Sequence, residues 1–82
     1  MNKRKLESVM KLHGDVGSTL ARCLGIARST FSAKINETKG AEFTQKEMMI
    51  IKARYNLTPG EMDEIFFNSN VSEKDTKGAT GL

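Results

Sequence analysis

One histidine (His13), one cysteine (Cys23) and one tyrosine (Tyr55) are scattered over 82 residues that contain no tryptophan. There is no GxGxxG and no phosphate-loop lysine signature. Catalysis needs a nucleophile, a base and an orienting group in one place, and this chain has almost no surplus of such side chains. The expectation is a protein that is not an enzyme. A lone cysteine forms no internal disulfide, and no Cys/His pair has zinc-site spacing, so no metal or cofactor is expected and a reducing, intracellular compartment is. The chemistry left over is recognition. It concentrates in residues 28–34, Arg-Ser-Thr-Phe-Ser-Ala-Lys.

If that stretch is a helix burying Phe31 and Ile35, its outward face is Arg28, Ser29, Ser32 and Ala33, with Thr30 and Lys34 on the flanks. Solvent-facing helices normally favour Glu, Lys and Gln. One arginine among hydroxyls and methyls suits the DNA major groove, about 12 Å wide, which admits a helix whose leading side chains are small. An arginine can pair with guanine O6 and N7, serine hydroxyls bond base edges, and an alanine methyl can rest on thymine. No carboxylate occurs between Asp15 and Glu37, so none would face phosphates there. The alternative is that Arg28 and the serines are simply solvated.

The charge pattern agrees with a polyanion partner. Net charge is +3, but Met1 to Asn36 carries seven basic residues against Glu7 and Asp15, giving +5. Residues 37–70 carry four basic against six acidic, giving −2, and 71–82 balance. A basic half points to a polyanion and a near-neutral half to a scaffold or contact surface; the same charges also serve solubility. Lys3-Arg4-Lys5 reads either as an arm reaching DNA or as a soluble end. The longest apolar run is Met48-Met49-Ile50-Ile51, far below the roughly 20 residues of a bilayer span, and no signal-peptide core follows the basic start.

Five short helices must position these residues. Leu6, Val9, Met10 and His13 share one helix face, with Gly14 free to turn left-handed after it. Asp15 is the expected N-cap of a second helix carrying Leu20, Ala21 and Leu24 inward and stopping at Gly25. The third helix spans Arg28 to Ile35, and residues 36–40 form a loop ending in glycine. Thr44 with Glu47, and Thr58 with Glu61, are capping boxes, flanked by the hydrophobic staples Phe43/Met48 and Leu57/Met62. Helix four then runs from about Gln45 to Tyr55 and helix five from Pro59 to Phe67, with Asn56 as the stop between them. Met48, Met49 and Met62 are expected in the core, and Cys23 as a small packed group. His13 is expected to serve a helix end. The polar stretch 68–82 is expected to be a flexible tail, leaving 1–67 as the folded domain.

The run Leu20-Ala21-x-x-Leu24-Gly25-Ile26-x-x-Ser29-Thr30-Phe31-Ser32-x-Lys34-Ile35-Asn36 resembles the helix–turn–helix of phage repressors and Cro-like (Xre family) regulators. The later Phe43-Thr44-x-x-Glu47 and Tyr55-Asn56-Leu57-Thr58-x-x-Glu61 are similar to the C-terminal helices of small phage-encoded members. The resemblance covers roughly residues 5–67. It implies an all-α, lambda-repressor-like bundle of five helices that occupies an operator in a bacterial or phage-infected cytoplasm. It makes Arg28, Ser29, Ser32 and Ala33 base contacts, and Gly17, Ser18, Thr19, Arg22, Lys34, Asn36 and Lys39 phosphate contacts. It also implies a homodimer, for which Met62, Phe66 and Phe67 are the expected surface. Two positions depart from the pattern: Gly17 stands where glutamine is common, and Ala27 where serine commonly caps the reading helix. The competing function is a protein-interaction module, an antitoxin or a modulator of another repressor, working through helices four and five.

Overall fold

A computed structural model describes residues 1–67, and the stretch 68–82 expected to form a tail lies outside the described residues. The protein is all-helical over this span. The helices are α1 (Lys3–Leu12), α2 (Gly17–Leu24), α3 (Arg28–Ile35), α4 (Gln45–Tyr55) and α5 (Pro59–Met62). A 3-10 turn, Thr38–Gly40, lies between α3 and α4. α5 was expected to run as one α-helix to Phe67; instead it widens into a π-helical turn over Asp63–Phe67. Within that turn the carbonyl of Ile65 accepts from the Asn2 backbone N–H at 2.6 Å, joining the last turn to the start of α1.

The core is the inner stripe of every helix. Leu6, Leu20, Ile51 and Ile65 are fully buried, with Phe31, Ile35, Phe43, Tyr55, Leu57 and Met62 around them. Ala21 is 1% exposed where α2 meets α3, and a longer side chain there would push the two helices apart. Gly25 takes φ 73°, a left-handed conformation that penalises a Cβ, and turns the chain from α2 into α3. Both capping boxes form: Thr44 accepts from the Glu47 N–H at 3.1 Å, Thr58 does the same for Glu61, and each glutamate reaches back to its threonine. Asn56 closes α4 at φ 52°, a conformation asparagine tolerates better than most residues.

Two core expectations and one capping expectation need correction. Met49 is 54% exposed and does not join Met48 and Met62 inside. Cys23 is exposed rather than packed, because it falls outside the Leu20–Ala21–Leu24 stripe of α2. Asp15 does not cap α2. The cap position is Val16, in extended backbone with no side-chain acceptor, and Asp15 is spent elsewhere.

Candidate nucleic-acid interface

Asp15 clasps α4. Arg54 donates to its two carboxylate oxygens at 2.7 and 2.8 Å, and the Tyr55 hydroxyl donates at 2.6 Å. The Arg54 guanidinium, then the Tyr55 hydroxyl, hold the Asp15 carboxyl down at about 2. Burial and the adjacent carboxylate push the Tyr55 phenol up. The His13 ring packs 4.9 Å from that of Tyr55, and its Nδ1 lies 3.0 Å from the Val9 carbonyl oxygen. His13 thus serves the end of α1, as expected. This clasp pins the α1–α2 connection to the end of α4 and so fixes where α2 starts.

The expected reading face is exposed over most of its area. Arg28, Ser29, Thr30 and Ser32 face solvent on α3, while Ala33 is half-buried. Phe31 and Ile35 on the opposite edge anchor the helix. Ala27 offers no side-chain cap, as its type predicts, so the first turn of α3 is held by packing and by the Phe31 N–H donating to the Ala27 carbonyl at 2.9 Å. No carboxylate lies within α3.

The expected phosphate contacts divide. On α2, Ser18 and Arg22 are exposed and Thr19 is half-buried. Gly17 is half-buried against α3: a Cβ built there would lie 3.4 Å from the Phe31 ring and 3.6 Å from Arg28 Nε. With no acceptor at Val16, the first-turn amides of Gly17, Ser18 and Thr19 are left for solvent or an anion, and Leu20 is the first to bond back into the helix. Lys39 is exposed in the 3-10 turn at φ 54°. Asn36 is exposed at the end of α3, where its amide donates to the Ser32 carbonyl at 2.9 Å.

Lys34 is placed differently. Its ammonium donates to Glu47 Oε1 at 2.7 Å, with only 16% of the lysine and 10% of the glutamate side chain exposed. The same oxygen accepts from the Thr44 backbone N–H at 2.8 Å. Burial is the largest influence on Glu47 and raises its pKa. The Lys34 and Thr44 hydrogen bonds together outweigh it, so the carboxyl titrates below its ordinary value. Lys34 therefore ties α3 to α4.

The three expected dimer residues also separate. Met62 is buried, Phe66 is half-buried with its ring edge-on to Phe43 at 6.1 Å, and Phe67 is 65% exposed. Leu12 and Val16, 83% and 61% exposed, were not anticipated as surface apolar residues. Among the described residues no cluster could hold a metal ion, and no helix is long and apolar enough to cross a membrane. No family model, curated protein or solved structure matches the chain.

Proposed function

We propose that the protein is a sequence-specific, double-stranded DNA-binding regulator of the phage repressor/Cro type, with a lambda-repressor-like arrangement of its helices. In this reading α3 enters the major groove of an operator, α2 crosses the flanking backbone, and occupancy blocks polymerase without chemistry or cofactor. The observation that carries it is the outer face of α3. Arg28, Ser29, Thr30 and Ser32 stand exposed on a helix without carboxylates, held rigidly by the Ala21 crossing and the Phe31 and Ile35 anchors. The free amides of α2 support it, since an uncapped helix start favours a phosphate. Dimerisation on a two-fold operator belongs to the same reading, with exposed Phe67 as its apolar contact.

Selection of bound duplexes from random DNA, followed by binding of the winner across salt concentrations, tests it. A defined sequence should emerge, with affinity falling steeply and linearly on a log–log salt plot. Equal binding to every duplex, or none at low salt, would overturn the proposal. One observation favours the protein-interaction alternative: Phe67 lies beside Gly60, Asp63 and Glu64 in an open acidic-rimmed groove along α5 and the π-helical turn. A stable protein partner combined with no duplex binding at low salt would decide for it.

A further inference from the structure

Lys3 lies in the first turn of α1, and its ammonium donates to the Asn36 side-chain oxygen at the far end of α3. Asn36 in turn holds the Ser32 carbonyl. Between the two helices opens a cleft of about 220 Å³, edged by Lys3, Glu7, Gly17, Arg28, Ser32 and Asn36. The Phe31 ring lies beneath Gly17, and with Met10 and Ile35 it makes an apolar floor. Lys3 thus stands beside the outer face of α3, whereas Lys5 is turned to Glu64 at 3.6 Å.

The geometry points to this cleft as a seat for one phosphate group, with Lys3 as its principal cation. An ammonium has three N–H donors, and the bond to Asn36 orients Lys3 while leaving two for an anion. Arg28 adds a second cation at the opposite edge, beside Gly17. The Ser32 hydroxyl supplies a neutral donor between them. Glu7, exposed on the same edge of α1 as Lys3, opposes the anion and keeps its affinity down. Nothing between Asp15 and Glu37 announces this carboxylate, because it reaches α3 from another helix. For nucleic acid the inference rests on the regulator reading, and the seated group is a backbone phosphodiester flanking the groove that α3 enters. A free phosphate compound shares the chemistry.

Two measurements on the full chain separate these cases: amide NMR shifts on titration with inorganic phosphate, and binding of the selected duplex across salt concentrations. In the wild type, phosphate should shift the Gly17, Ser32 and Asn36 amides more than those of α4. Lys3→Gln should abolish those shifts, weaken every duplex alike, and reduce the magnitude of the salt slope by about 0.9, the value for one neutralised phosphate. Glu7→Gln should enlarge the shifts and tighten duplex binding several-fold, a gain that a damaged fold cannot produce. Shifts and slope unchanged by Lys3→Gln, or no gain from Glu7→Gln, would overturn the seat. If the wild type prefers a sequence but both variants behave like it, the regulator reading survives and the cleft assignment fails. If phosphate shifts vanish in Lys3→Gln but no duplex binds, the cleft stands as a site for a free phosphate compound and the regulator reading fails.

Discussion

Glu47 Oε1 lies 2.7 Å from Lys34 Nζ while also accepting the Thr44 backbone N–H, so one carboxylate oxygen both starts α4 and holds α3 against it. Removing the carboxylate leaves a half-buried ammonium unpaired and the Thr44 backbone N–H without its acceptor, while the Thr44 hydroxyl still caps the helix. Glu47→Ala should destabilise the fold by about 2–4 kcal/mol, combining the lost half of the capping box with the lost ion pair. A double-mutant cycle with Lys34→Met, read by urea denaturation, should give a coupling of about 1 kcal/mol or more. Additive single effects would mean the two side chains are independent.

Stability should fall in acid through a defined window. The folded Asp15 carboxyl titrates at about 2, below its ordinary 3.8, so the unfolded chain binds more protons between these values. The clasp's contribution is therefore complete above about pH 4 and fades as pH drops toward 2. Glu47 and Glu61, both lowered, act with the same sign. Urea midpoints between pH 5 and 2 should slope less steeply in Asp15→Asn than in the wild type; parallel slopes would refute the clasp.

Two glycines on either side of the α2 start and stop should respond oppositely. Gly25→Ala places a Cβ at φ 73° and should cost about 1–2 kcal/mol. Gly17→Ala brings its Cβ only into ordinary contact with Phe31 and replaces glycine at the first position of a helix. Thermal melts should show it unchanged or up to about 1 kcal/mol more stable. Equal losses at the two sites would contradict the described backbone.

On the selected duplex, Arg28→Ala should cost about 1–3 kcal/mol and relax preference at one base pair. Lys34→Met should lower stability while leaving the salt slope intact, because its charge is already neutralised by Glu47. A loss of about 0.9 in slope from Lys34→Met would show that the ion pair opens on DNA.

The neighbouring phenylalanines of the π-helical turn should part company as well. Phe66→Ala removes a ring packed on Phe43 and should cost about 1–3 kcal/mol of folding stability. Phe67→Ser should leave the melting temperature almost unchanged and weaken self-association in sedimentation runs. A wild type that stays monomeric with and without operator would remove Phe67 from any two-fold contact.

What could be read along the chain was local. Thr44 and Glu47, three residues apart, bond each other by helix geometry alone, and Gly25 announces its turn by type. Pairings across the chain were silent. Asp15 sits where an N-cap belongs, and only the folded bundle brings Arg54 and Tyr55 to it. Lys34 looks like a free flank of α3 until α4 packs beside it with Glu47. Likewise the α1–α3 cleft joins Lys3 to Asn36, which no periodicity relates.

The short bond from the Asn2 N–H to the Ile65 carbonyl makes the described chain a closed circuit, with its opening and final turns latched together. A bond of this kind slows exchange of its amide with deuterium for as long as the two ends stay together. The proton on Asn2 is thus a built-in gauge of end-to-end separation, and losing that single link should let the π-helical turn fray before anything else.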